Sequence, residues 1–274
     1  MNKIVLLTSF FDPWQAWNSL ITGEFEKHND TYEYFYVEES IIDTDMLSKN
    51  VLYFVRSNSI QAQAICSYIY YGGGKIVNGS ATTSYWPRIV LLNQLNKFGI
   101  PVPKSYCGFN LSALYSSIPK DFYPAVQKSS TALVREPEKI KDSDQLLDRA
   151  CKWSVDPKIP REPFYYEQFI EDARLIKIYV IGENIYSFER FEGFGEKVVI
   201  KKPIPFALDE GIKKQLLVAL HLCGLQIVSL DVLFSGDSSS TWSVIDVNLV
   251  PMFHFLDDAP SLLHKFLTDL RDGQ

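Results

Sequence analysis

Ile227-Val228-Ser229-Leu230-Asp231-Val232-Leu233-Phe234, followed after a polar turn by Trp242-Ser243-Val244-Ile245-Asp246-Val247-Asn248, sets the reading of this chain. Both segments alternate with the two-residue period of a β-strand. Val228, Leu230, Val232 and Phe234 share one face of the first segment, and Asp231 lies on the other. Pairing the strands so that Phe234 faces Thr241 sets Asp231 opposite Val244 and diagonal to Asp246. Asp231, Asp246 and Asn248 then gather on one face, while Ile245 and Val247 join the apolar one. Diagonal neighbours lie about 7–8 Å apart, a span that a metal ion with phosphates can bridge. Two carboxylates and an amide oxygen, without Cys or His, form a hard ligand set suited to Mg2+ and nucleotide phosphates; Mn2+ fits the same donors. A solvated strand pair carrying ordinary acids has the same local spacing. The flanking Val and Ile favour the metal reading, because half-buried acids side by side repel without a cation.

Basic residues occur where phosphates would need them. Lys128 ends the short strand Ala125-Val126-Gln127-Lys128 and opens into Ser129-Ser130-Thr131, where turn amides and hydroxyls can assist a lysine. Within 174–181, Ile176, Ile178 and Val180 take the core parity and Lys177 the opposite one. With Gly182-Glu183 as a two-residue turn, Arg190 falls opposite Leu175 and diagonal to Lys177. Two cations on one face invite an anion, although an open, solvated sheet would tolerate the same pair.

Outward from these segments, the chain changes character along its length. Residues 3–8, 32–37 and 51–55 read as strands, 14–27 and 60–71 as helices, and 75–77 as a further short strand after Gly72-Gly73-Gly74. This is a βαβ pattern with a parallel sheet. A helix over 83–98 stops at Gly99, and Ile100-Pro101-Val102-Pro103 is an extended connector. Beyond it, 123–128 and 131–134 read as a hairpin, 143–153 as a helix, and 164–170, 174–181 and 184–190 as strands. A helix at 209–222, strands at 226–234 and 241–247 and a helix at 262–270 complete an α+β pattern with antiparallel sheet. The expected fold class is therefore α/β followed by α+β, divided into 1–80, 81–165 and 166–274.

The 274 residues are 46% hydrophobic and 14% aromatic, enough for a sizeable core and too apolar for a disordered chain. A net charge of -6 argues against a broad nucleic-acid-binding face. No window approaches the ~18 apolar residues of a membrane span. Met1-Asn2-Lys3 followed by Ile4 to Leu7 is too short an apolar run for a signal peptide. Cys66, Cys107, Cys151 and Cys223 match no metal or redox spacing, and a cytoplasmic protein with reduced thiols is expected. The four histidines likewise form no ligand spacing.

Read in order, the segments resemble the ATP-grasp superfamily, in its glutathione-synthetase-like branch that includes the ribosomal-protein glutamate ligases. Ile76-Val77-Asn78-Gly79-Ser80, the run from Arg88 to Leu92 and Gly99-Ile100-Pro101-Val102-Pro103 are similar to the lead-in helix of that family. Arg88 stands where the family carries a nucleotide-binding lysine. Pro124-Ala125-Val126-Gln127-Lys128 looks like the strand of the second phosphate-binding lysine. Tyr166-Glu167-Gln168-Phe169-Ile170 looks like the hinge that reads adenine, which implies the Glu167 carbonyl and the Phe169 amide. The resemblance puts Glu171 or Asp172 near the ribose hydroxyls, and Asp231, Asp246 and Asn248 on the metal triad. Two departures stand out. Ser129-Ser130-Thr131-Ala132-Leu133 replaces a glycine-rich loop, and the triad reads Asp-Val-Asn where most ligases have Glu-Val-Asn. The Asp form, with the run from Leu175 to Glu183, also resembles the inositol trisphosphate kinases of the same fold.

The resemblance implies an Mg-ATP-dependent carboxylate–amine ligase working through an acyl phosphate, with Lys128, Arg88 and Arg190 stabilising the transferring group and Lys177 and Arg190 as the expected catalytic residues. The alternatives are a kinase of a small hydroxylated or phosphorylated metabolite and a non-catalytic nucleotide-binding domain. The expected partner is a small-molecule or peptide substrate, with neither nucleic acid nor membrane, and an oligomer is compatible with the sequence.

Overall fold

The computed structural model describes residues 3–10, 15–39, 41, 44–48, 50–83, 87–129, 137–154, 163–190, 204–235 and 241–273. The first unit comprises β1 (Lys3–Thr8), α1 (Gln15–Lys27), β2 (Tyr32–Tyr36), β3 (Val51–Val55), α2 (Ile60–Tyr71) and β4 (Lys75–Ile76). Its strands run parallel in the order β2-β1-β3-β4. The unbroken apolar run of β1 suits a parallel strand covered on both faces. Val5 and Leu7 pack with Ala62, Ile65 and Ile69 of α2, whereas Ile4 and Leu6 pack with Ile21 and Phe25 of α1.

Next come α3 (Pro87–Lys97), β5 (Ser105–Gly108), α4 (Leu111–Ser117), β6 (Ala125–Lys128), β7 (Glu138–Ile140), α5 (Ser143–Ser154) and β8 (Phe164–Gln168). Pro87 opens α3, four residues later than the apolar spacing suggested; its fixed φ suits a first helical position, and a 3-10 turn at Gly79–Thr83 precedes it. Gly99 ends the helix with φ +86, and the Ile100 amide reaches back to the Leu95 carbonyl at 3.0 Å. The sheet is β5-β8-β6-β7. The strands beside β6 are β7 and β8, not the hairpin partner that the sequence suggested. Ala125 pairs with Ile140 and Gln127 with Glu138, and β8 occupies the other edge of β6. Residues 131–134 lie outside the described residues.

The last part contains β9 (Ala173–Ile181), β10 (Asn184–Arg190), β11 (Ile204–Pro205), α6 (Glu210–Leu222), β12 (Ile227–Ser235), β13 (Trp242–Asn248) and α7 (Ala259–Asp272). Its antiparallel sheet runs β11-β10-β9-β12-β13. One face carries Ile176, Ile178, Val228, Leu230 and Val232 against Leu91, Leu92 and Leu95 of α3 and Leu216 and Ala219 of α6. The lead-in helix thus packs on this sheet. The division anticipated between residues 165 and 166 falls within β8, which pairs with β5 and β6.

Gly182-Glu183 is the turn between β9 and β10, and Arg190 pairs with Leu175 as the spacing required. The β12–β13 register differs from expectation. Phe234 pairs with Trp242, Val232 with Val244 and Asp231 with Asp246, with a register shift between Asp231 and Val232. Ile245 is the extra residue of this bulge. Trp242, Val244 and Val247 therefore enter the core, and Ile245, expected there, stays half-buried.

Candidate nucleotide and metal site

The bulge brings the two acids directly opposite each other. Asp231 of β12 lies between Asp246 on β13 and Lys177 on β9. Like charges facing across a ladder are destabilising unless cations share the site. Lys177 Nζ stands 2.9 Å from Asp231 Oδ1, and Arg190 Nη1 stands 4.0 Å from the same oxygen. Arg88 donates to both carboxylate oxygens of Asp246, at 2.8 Å from Nε and 3.2 Å from Nη2. A guanidinium at the second residue of α3 opposes the helix dipole, and the bidentate carboxylate offsets that cost. Burial alone would raise the Asp246 carboxyl. The Arg88 charge and hydrogen bonds, with Lys128 and Lys177 behind them, outweigh it and hold the group well below the usual carboxylate range.

Lys128 projects from the end of β6 into the same space. Its Nζ donates to Glu167 Oε2 on β8 and, at 2.8 Å, to the Ile245 carbonyl at the bulge. The Tyr165 hydroxyl donates to Glu167 Oε1 at 2.6 Å. Burial, then the neighbouring Glu167, pushes the Tyr165 phenol up, so it stays a donor. Arg88 Nη1 also donates to the Ser129 carbonyl, tying α3, β6 and β13 together. Arg88, Lys128 and Glu167 are all buried.

Contacts thus join Asp231, Asp246, Arg88, Lys128, Lys177 and Arg190 across the two antiparallel sheets and α3. Asn248 pairs with Ser229, two residues along from the acid pair, and its Oδ1 accepts from the Val250 amide at 2.9 Å. That oxygen keeps a second lone pair. Among the described residues no cluster of three or more His, Cys, Asp or Glu exists. Two acids and one amide fit a divalent ion whose remaining ligands come from phosphates and water.

The implied hinge contacts need correction. The Phe169 amide donates to the Pro124 carbonyl at 2.9 Å, so the fold itself uses that donor. Glu167 sits inside the sheet between Ser105 and Val126, and its side chain is the counter-ion of Lys128. Glu171 is exposed with Lys139 at 3.7 Å, and Lys139 lies 3.8 Å above the Phe169 ring. Asp172 occupies the adjoining turn at φ +51. Loop residues 130–133 lie outside the described residues. Sequence reasoning missed the Glu167 carboxylate and Tyr165, although Tyr165 and Glu167 share a strand face with period two, which was legible. His254 was also overlooked. Burial, then Lys177 and Arg190, depresses its pKa and favours the neutral imidazole.

No family model and no curated protein matches the chain. Solved structures do. A RimK-domain ATP-grasp protein from Sphaerobacter thermophilus is 18% identical with a TM-score of 0.70, covering 97% of this chain and 99% of that one. The ATP-grasp ligase PsnB, complexed with minimal precursor, Mg and ADP, is 14% identical with a TM-score of 0.70, covering 98% and 97%. The D-cycloserine synthetase DcsG is 12% identical with a TM-score of 0.72, covering 99% of each chain. With these three agreeing over nearly the whole length, the chain has the ATP-grasp fold.

Proposed function

We propose that the protein is an Mg-ATP-dependent carboxylate–amine ligase. The observation that carries this reading is the pairing of the site's cations with acids: Arg88 with Asp246, Lys128 with Glu167, and Lys177 and Arg190 with Asp231. Such a site is poised for exchange. Phosphate oxygens can replace the carboxylates as partners of Arg88, Lys128 and Lys177. Asp231, Asp246 and Asn248 are then free to hold Mg2+, which when bound neutralises charge on the transferring phosphoryl group. Lys177 and Arg190 face the same group and orient it for attack by an acceptor carboxylate. An amine then displaces phosphate from the acyl phosphate, forming the C–N bond and releasing inorganic phosphate.

In this reading residues 1–80 form a pre-ATP-grasp unit, the stretch from 81 to the end of β8 a central lobe, and the remainder the lobe with the metal site. Either Glu171 or Asp172 would take the ribose hydroxyls. Because PsnB was solved with precursor peptide, a peptide is the favoured acceptor class. No helix among the described residues is long and apolar enough to cross a membrane, and we place the enzyme in the cytoplasm, where ATP is plentiful.

The test is product analysis with labelled ATP, an array of carboxylate-bearing peptides and hydroxylamine as the trapping amine. ADP, free phosphate and a hydroxamate are expected in equal amounts. A phosphorylated product without free phosphate would replace the ligase by a kinase.

A further inference from the structure

Two buried polar side chains of the first unit reach across to the strands that bear the acids, and nothing in the proposed chemistry uses them. Arg56 follows β3 and is fully buried. Its Nε donates to Asn18 Oδ1 at 3.2 Å, and its Nη1 donates to the Pro251 carbonyl at 3.0 Å. Asn18 in turn donates to Thr8 Oγ1 at 3.0 Å, so the guanidinium is braced by β1 and α1. Pro251 lies three residues beyond Asn248. Asn78 is 2% exposed and holds φ at +63, a conformation that Asn tolerates better than most residues. Its Oδ1 accepts from the amides of Gln226 at 2.8 Å and Ile227 at 2.9 Å, and its Nδ2 donates to the Ile227 carbonyl at 2.8 Å.

These contacts meet a specific structural need. β12 outruns β13: Asn248 pairs with Ser229, and Ile227 and Val228 have no partner on that side. Buried amides and carbonyls must be satisfied. The Asn78 amide supplies the missing ladder position and fixes the start of the strand, four residues before Asp231. At the same end, β13 gives way to a connecting segment after Asn248, and Arg56 fixes its path. The first unit therefore grips both acid-bearing strands at one end, and the distance between those grips bears on the separation of Asp231 and Asn248.

We propose that Arg56 and Asn78 are positioning residues for the divalent-ion site, with the parallel unit acting as a brace that sets the spacing of its ligands. The proposal rests on the metal reading of Asp231, Asp246 and Asn248. Groups hydrogen-bonded to metal ligands typically change metal affinity by about 10–100-fold when removed; Arg56 and Asn78 hold the ligands' strands rather than the ligands, so the low end of that range applies.

The experiment uses the 274-residue chain, with Mn2+ as the probe, read by electron paramagnetic resonance in the presence of ADP. Arg56→Lys keeps the charge but cannot reach both oxygens. Asn78→Gly accepts the positive φ and loses the three contacts. Ile65→Ala, in the core on the far side of the parallel sheet, controls for general loss of stability. Expected is a rise of at least ~10-fold in the Mn2+ dissociation constant for Arg56→Lys and Asn78→Gly. Metal-free ADP affinity should stay level, and Ile65→Ala should bind Mn2+ like the wild type. Wild-type Mn2+ affinity in both variants, or an equal weakening in Ile65→Ala, would overturn the brace and leave the metal site standing. A wild type that binds no Mn2+ with ADP would overturn both.

Discussion

Asp246 shows how the folded context changes the forecast for a single residue. From sequence, two adjacent acids repel, and Asp246→Asn should leave stability level or raise it. In the structure Asp246 is the bidentate partner of the buried Arg88. Removing the charge leaves a desolvated guanidinium undercompensated, so Asp246→Asn should cost about 1–3 kcal/mol in denaturant unfolding. Turnover at saturating Mg-ATP should fall by at least ~100-fold, the usual loss for one preorganised charge-stabilising group. A variant keeping more than half the wild-type rate would remove Asp246 from the site. The pH dependence follows from the lowered folded-state pKa. The pairing contributes fully above the unfolded value of about 3.9 and is lost as pH falls towards the folded one. Wild-type stability should therefore drop below about pH 4 more steeply than that of Asp246→Asn. Lys128 is a parallel case. Its ion pair with Glu167 is buried on both sides, so Lys128→Ala should lower apo stability by about 3–5 kcal/mol. Adding Glu167→Gln should recover much of that loss without restoring nucleotide binding. Thermal unfolding with and without ADP separates the two effects.

At the scale of elements, capping and turn chemistry account for boundaries that periodicity alone blurs. Asp209 precedes α6, and its Oδ1 accepts from the amides of Gly211 at 2.8 Å and Ile212 at 3.2 Å. Asp209→Ala should destabilise by about 1 kcal/mol, a typical N-cap loss, visible as a shifted urea midpoint at constant slope. The long strands and helices were legible because their apolar spacing is strong: α2 and β10 match their sequence bounds, and β9 and α6 begin within one residue of them. β5, α4 and β7 were not. They are three to seven residues long, too short for a period to register, and depend on neighbours such as β8 for pairing.

The whole molecule is joined by a core in which distant segments meet. Ile4, Leu6 and Phe54 of the parallel sheet pack with Tyr179, Ile227, Phe253 and Leu263, more than 120 residues away along the chain. A ligand that bridges the cleft binds only this assembled state. Mg-ATP should therefore stabilise the protein by about 2.7 kcal/mol at one hundred times its dissociation constant. A denaturation curve unmoved by Mg-ATP at millimolar concentration would count against the nucleotide site as a whole.

The sequence by itself determined the parallel front, the antiparallel remainder, the shared face of Asp231, Asp246 and Asn248, and the turn that sets Arg190 near Lys177. All of these follow from side-chain period and local turn residues, which are properties of adjacent positions. Tertiary structure decided the rest. The bulge at Ile245 sets Asp231 against Asp246, because Trp242, Val244 and Val247 must all reach one core. The Glu167 carboxylate became the partner of Lys128, and the Phe169 amide was drawn to Pro124. Arg56 reached the Pro251 carbonyl 195 residues away, and Asn78 the Gln226 amide 148 residues away. Which charge or buried amide satisfies which is a question of three-dimensional proximity, and residue spacing along a strand carries no record of it.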